Sequence, residues 1–156
     1  QVTMSGYVPS EILDEGYRLL SRSARKVPPH IRLDTMVRIG APPQTLLSMA
    51  EDTGAKAIAT LTYSGYTAFQ ISSHRPNSFI LVFNPSKRIN RMLNLLWGVK
   101  SINYDPRDTS TDQTVTEVNI LAKNAGYVEY GDYIINLNAM PAFEKGITNT
   151  LRISMI

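Results

Sequence analysis

Apolar and polar positions alternate in one way up to about residue 45 and in another way beyond it. In the first part, Ser10-Glu-Ile-Leu-Asp-Glu-Gly-Tyr sets a hydroxyl N-cap ahead of acidic residues, both favourable at a helix start, and predicts a helix from about Ser10 to Lys26. Ile12, Leu13, Tyr17, Leu20 and Ala24 share one face of that helix, which has to pack on its own domain or on a partner. Pro28-Pro29 stops it. Residues 27–43 carry four prolines, and the pairs Pro28-Pro29 and Pro42-Pro43 read as extended connectors. Residues 1–45 are therefore taken as an N-terminal helix and Pro-rich linker, and residues 46–156 as a domain.

From Gln44 the pattern alternates between strand-like and helix-like runs. Thr45 to Thr53 suits a helix closed by Gly54, and Ala55 to Tyr63 is a mostly apolar run of strand length followed by a Ser64-Gly65 turn. Thr67 to His74 has helical spacing and ends at Arg75-Pro76-Asn77. Phe79 to Phe83 is continuously apolar, as in a parallel strand buried on both faces. Asn84-Pro85-Ser86 opens a helix expected to reach Leu96, with Ile89, Met92, Leu93 and Leu96 inward. Val99 to Tyr104 reads as a third strand, Ser110 or Thr111 to Asn124 as a helix, Tyr133 to Leu137 as a fourth strand and Thr148 to Ile156 as a fifth. Strand and helix in alternation predict a three-layer α/β/α domain with a mostly parallel, five-stranded mixed sheet. Residues 138–147 hold no crossover helix, so the last strand is expected antiparallel to the fourth, at the sheet edge.

Composition narrows the chemistry. The chain has 156 residues with 43% hydrophobic positions, enough for one cored domain with an extension. There is no cysteine and there are only two histidines, which removes disulfides, thiolate nucleophiles, zinc fingers and a histidine-rich metal site together. Sixteen basic and thirteen acidic residues leave a scattered net charge of +3, which argues against nucleic acid and anionic membrane as partners. No apolar run approaches a membrane span and residues 1–10 lack the order of a secretory signal, so a soluble, cytoplasmic protein is expected.

In a doubly wound sheet, ligands gather beyond the carboxyl ends of the strands. Thr62-Tyr63-Ser64-Gly65-Tyr66-Thr67 occupies that place after the first strand, with three hydroxyls, a glycine for a sharp turn and the free N–H groups of the next helix: a phosphate cradle. The same residues also suit an ordinary Ser/Gly turn with a capping hydroxyl, and they are neither a P-loop nor a dinucleotide fingerprint. The segment from Ala139 to Thr150 can reach the same rim and offers Lys145, Thr148 and Asn149 as donors, or it is simply a connection. Lys87, Arg88 and Arg91 could meet an acidic partner but equally form a solvated helix face. Asp105, Asp108 and Asp112 could hold a cation, but caps and turns account for them. His74, Trp97 and the methionines are read as packing, and no pair of carboxylates in contrasting surroundings marks acid–base catalysis.

Gly54-Ala55-Lys56-Ala57-Ile58, Leu61 to Ala68, Ser73-His74-Arg75-Pro76, Trp97-Gly98-Val99, Gly131-Asp132 and Gly146-Ile147-Thr148-Asn149-Thr150 stand in an order and spacing that resembles the C-terminal domain of pyruvate kinase, over about Leu46 to Ile156. The resemblance implies a regulatory domain whose first strand–helix loop holds a phosphate of a sugar-phosphate activator. Carried over by position, Thr62, Ser64, Gly65 and Thr67 would grip the phosphate, and Lys145, Gly146 and Thr148 would belong to a loop that closes over it. Tyr63 and Tyr66 stand where many relatives have a Lys and an Arg or Lys, Thr114 falls where some have an arginine for a second phosphate, and Glu144 adds a negative charge to the closing loop. Those departures point away from fructose bisphosphate and toward a monophosphorylated effector, or toward a loop that only keeps its shape.

The resemblance further implies that catalysis, with its Mg and K ions, belongs to a β/α barrel of about 200 residues or more, for which this chain has no room. The expectation is a chain with no catalytic residues, metal or cofactor of its own, an excised or stand-alone relative that assembles as a homo-oligomer through this domain and, if a fragment, with its barrel. A purely structural interaction module without ligand is the alternative.

Overall fold

A computed structural model describes residues 10–24, 42–106, 111–138, 148 and 150–156. The chain divides into two compact units, Gln1–Gly40 and Ala41–Ile156. In the first, α1 spans Ser10–Ala24, with Glu11 in its first turn and the exposed pair Arg18–Glu15 at 3.1 Å. Tyr17 is half exposed; the side chains of residues 12, 13, 20 and 24, expected on the same face, lie outside the described residues, as does Pro28-Pro29.

The second unit is built from α2 (Pro42–Thr53), β1 (Ala57–Leu61), α3 (Tyr66–Ser73), β2 (Phe79–Asn84), α4 (Lys87–Leu93), β3 (Val99–Asn103), α5 (Thr111–Asn124), β4 (Tyr133–Asn138) and β5 (Thr150–Met155). The sheet runs β3-β2-β1-β4-β5, parallel except for the antiparallel pair β4–β5 at one edge. The α/β class and the antiparallel last strand are as the pattern predicted.

Burial explains the layers. Strand residues alternate between two cores, as a period of two requires. Ile58, Ile80, Val82, Ile135 and Leu137 face Leu46, Ala50, Ala68, Ile71 and Leu93 of α2, α3 and α4. Ala57, Ala59, Leu81, Phe83 and Ile134 face Val118 and Ala122 of α5. The two crossovers from β1 to β3 thus run in one direction with their helices on one face, and the third returns across the other face to place β4 beside β1. The sheet order therefore reverses between β1 and β4, and the carboxyl ends of those two strands open a crevice.

Three details depart from the sequence reading. Pro42-Pro43 is not an extended connector but the first turn of α2, where proline's fixed φ is already helical and its missing N–H would have no partner in any case. The helix after Ser86 ends at Leu93 rather than Leu96; Asn94 caps it, and Leu95 and Leu96 continue as tight turns through N–H bonds to Met92 O at 3.1 Å and Leu93 O at 3.0 Å. Leu96 still reaches the core, but Met92 is 61% exposed, and His74, Trp97 and Met155 are exposed rather than packed. Among the described residues no helix is long and apolar enough to cross a membrane.

Candidate functional site

The loop from Thr62 to Thr67 sits at the crevice because β1 ends at Leu61 and α3 starts at Tyr66, leaving four residues to reverse the chain. Parallel pairing puts Leu61 opposite Phe83, so the Thr62 N–H continues the ladder to Phe83 O at 3.2 Å. The next β2 residue, Asn84, is wholly buried; its Nδ2 donates to the Thr62 carbonyl and its Oδ1 accepts from Ser86 N at 2.7 Å. One amide side chain therefore ties the end of β1 to the start of α4. Asn90 Nδ2 in turn donates to Asn84 O at 3.0 Å, and Ser101 Oγ donates to Asn90 O at 2.9 Å, extending the tie to β3.

Gly65 makes the turn. Its φ of 83° lies in the left-handed region that costs other L residues energy. A Cβ there would also come within 2.6 Å of Leu93 Cδ2. Space and conformation both demand glycine, and the loop is seated directly on α4.

The predicted site residues divide by what their groups already do. Thr62 is buried and its Oγ1 accepts from Gly65 N at 3.1 Å, while Ser64 Oγ accepts from Tyr66 N at 3.3 Å. Two amides that could have met an anion are thus bonded within the loop. Each hydroxyl still has its own proton to donate, and Ser64 is exposed. The Gly65 carbonyl starts α3 by accepting from Phe69 N at 3.0 Å, so the N–H groups of Thr67 and Ala68 belong to the unpaired first turn; among the described residues neither has an acceptor. Thr67 and Thr148, 81 positions apart, bring their hydroxyls to 3.2 Å. Lys145 and Gly146, with Glu144 and Asn149, lie outside the described residues. The described part of the site is thus a helix N-terminus ringed by the hydroxyls of Ser64, Thr67 and Thr148, a set that can donate to oxyanion oxygens.

A family model for the pyruvate kinase alpha/beta domain matches residues 44–154. The chain belongs to the pyruvate kinase alpha/beta domain family. Curated pyruvate kinases similar to it include one from Lactobacillus delbrueckii subsp. bulgaricus, 31% identical over 113 residues, 72% of this chain and 19% of that protein. Another, from Clostridium acetobutylicum, is 35% identical over 107 residues, 69% of this chain and 22% of the relative. A crystal structure of a pyruvate kinase from Cryptosporidium parvum shares the fold at a TM-score of 0.62 and 24% identity, over 89% of this chain and 26% of that one. The chain therefore spans about a fifth of the length of the curated pyruvate kinases it matches.

Within this pyruvate kinase alpha/beta domain, Thr114 is fully buried on α5, so its side chain is part of the interior rather than a contact for a ligand. Tyr63 is half-buried and Tyr66 is 68% exposed, and no cation stands between Thr62 and Thr67. Among the described residues no group of three His, Cys, Asp or Glu could hold a metal ion. Asp112 pairs with Arg152 at 2.7 Å instead, and Asp108 lies outside the described residues. The ties through Asn84 and Leu93 carry no sequence signal of their own, since each acts on the loop only after the parallel strands and α4 have been brought beside it.

Proposed function

We propose that this domain is the regulatory and assembly part of a glycolytic, cytoplasmic pyruvate kinase and holds the phosphate of a small phosphorylated effector at the β1–α3 loop. The observation that carries the reading is the 3.2 Å approach of the Thr148 hydroxyl to the Thr67 hydroxyl. It brings Thr148, two residues before β5, to the helix N-terminus beside the point where the sheet order reverses, the kind of place at which open α/β sheets take ligands. Thr67 and Ala68 would supply N–H donors, and Ser64, Thr67 and Thr148 O–H donors. Gly65 would set the turn, Thr62 would shape it from beneath, and Lys145 and Gly146 would belong to the closing segment. With Tyr63 and Tyr66 in place of cations between Thr62 and Thr67 and a buried Thr114, a single phosphate group is the better match than a bisphosphate. Transfer of phosphate from phosphoenolpyruvate to ADP would be the work of a catalytic barrel, to which this domain contributes no catalytic residue or metal.

Assembly would use β5, an edge strand whose Leu151, Ile153 and Met155 are exposed; a second copy of the domain would cover them.

Thermal unfolding with inorganic phosphate and with glucose 6-phosphate tests the ligand reading. A midpoint that rises with ligand concentration, as mass action requires, and no longer rises in Ser64→Ala/Thr67→Ala supports it. A midpoint unmoved at millimolar ligand leaves the loop as a structural turn whose hydroxyls serve only its own amides.

A further inference from the structure

The opposite rim of the sheet, where β1 and β2 begin, carries a half-open cleft of about 530 Å³. Glu51 from the end of α2, Lys56 just before β1, and His74 and Arg75 just after α3 line it together, with Leu47 and Phe79 among its apolar walls. Among the described residues none of these four ionisable side chains makes a hydrogen bond or an ion pair. Lys56, Arg75 and His74 thus share one concavity with a single carboxylate, and none of their side chains is paired among the described residues.

The backbone at Arg75, on the lining of this cleft, is left-handed. Its φ of 50° makes it the one non-glycine with positive φ among the described residues. The chain leaves α3 through a left-handed residue, with His74 N bonded to Ile71 O at 3.1 Å and Arg75 N to Ser72 O at 3.0 Å. Glycine or asparagine is the low-cost occupant of such a position. An arginine there is strained where glycine would not be, and contributes nothing to the turn that glycine would not. What it contributes instead is a cationic residue to the lining of the cleft. Phe79, also on the lining, is 40% exposed and packs with its ring 5.6 Å from that of Tyr127.

We propose that this cleft is a second ligand site, separate from the β1–α3 loop, for a small organic oxyanion. Arg75 and Lys56 take a carboxylate or phosphate head, the guanidinium through paired N–H donors, and an apolar or aromatic body lies against Phe79 and Leu47. Glu51 on the same wall repels a second anionic group, so the ligand carries one charged head on a neutral body.

The test is a two-dimensional ¹H–¹⁵N titration of the whole chain with phenyl phosphate and, separately, benzoate. Amides of residues 54–56, 74, 75 and 77–79 are expected to shift and to saturate in the millimolar range for one of the two probes, which names the head group. Arg75→Gly keeps the left-handed turn at lower cost, so its melting point is expected to hold or rise while its affinity falls at least about tenfold. Lys56→Gln should weaken binding without moving the fold, and Ser64→Ala/Thr67→Ala should leave these shifts untouched whatever it does at the other rim. Shifts that never saturate, that persist unchanged in Arg75→Gly and Lys56→Gln, or that map to residues 62–68 would overturn the proposal.

Discussion

Replacing Gly65 by alanine asks whether the loop is held in shape by its contact with α4 or only by its own backbone. Two costs can be worked from the structure. At φ 83° an L residue sits in the left-handed region, at about 1–2 kcal/mol. The new Cβ would fall 2.6 Å from Leu93 Cδ2, and Leu93 is only 6% exposed within the core under α2, α3 and α4. A leucine wedged there cannot swing away freely, so overpacking adds about 1–3 kcal/mol. The total is about 2–5 kcal/mol, a large fraction of the stability of a domain this size. Gly54 supplies the control, since its φ of 63° carries the conformational cost while a Cβ there meets nothing within 4 Å. Urea unfolding of Gly65→Ala and Gly54→Ala side by side should therefore show the first less stable by the overpacking part, about 1–3 kcal/mol. Leu93→Ala costs about 2–5 kcal/mol by itself, but adding it to Gly65→Ala should cost less than the sum of the single changes, because the cavity receives the new methyl group. Equal destabilisation by the two glycine replacements, or strict additivity with Leu93→Ala, would refute the contact.

Other outcomes follow from the same geometry. Asn84→Ala strands the buried Thr62 carbonyl and the Ser86 amide, and at about 1–3 kcal/mol for each unsatisfied group it should lower stability by about 2–4 kcal/mol in urea unfolding, discounted because Ser86 is partly exposed; a loss under 0.5, about the noise of a surface change, would mean the tie is not formed. Thr148→Val keeps the side-chain volume and removes the hydroxyl that meets Thr67, so calorimetry should show weaker phosphate binding with a stability loss of only about 1 kcal/mol. Arg152→Ala breaks an ion pair whose side chains are 53% and 88% exposed; the loss should stay below about 1 kcal/mol and shrink further in high salt, read by melting at two ionic strengths. Ile153→Lys puts a charge on the exposed edge strand β5 and should halve the sedimenting mass of any homodimer built through it, whereas an unchanged mass would place the assembly surface elsewhere.

Much of the fold is legible in the sequence because burial leaves a mark there. Phe79 to Phe83 is continuously apolar since β2 is covered on both faces, and the few positions between Asn138 and Thr150 are too short a connection for a crossover that would let the last strand run parallel. Pro42 misled because proline is a breaker everywhere except the first turn, where it now stands. Met92 misled because helical spacing gives the width of an apolar stripe but not its centre: Leu93 took the core and its neighbour was turned out. At the site, Gly65 and the hydroxyls were visible as residue types, and their place beyond β1 followed from the alternation of elements. What the hydroxyls do was not. Whether Thr62 and Ser64 face a ligand or their own backbone depends on the local path of four residues, and no spacing rule fixes that. Asn84 was invisible for a different reason. It lies 22 positions from Thr62 and reaches it only through the parallel register that sets Leu61 against Phe83.

If the first turn of α3 receives an oxyanion, a crystal of this chain grown with phosphate will show a phosphate within hydrogen-bond distance of the Thr67 and Ala68 N–H groups and of at least one hydroxyl among Ser64, Thr67 and Thr148. Finding those two amides bonded instead to the chain's own carbonyls or hydroxyls, with no room for an anion in front of them, would contradict it.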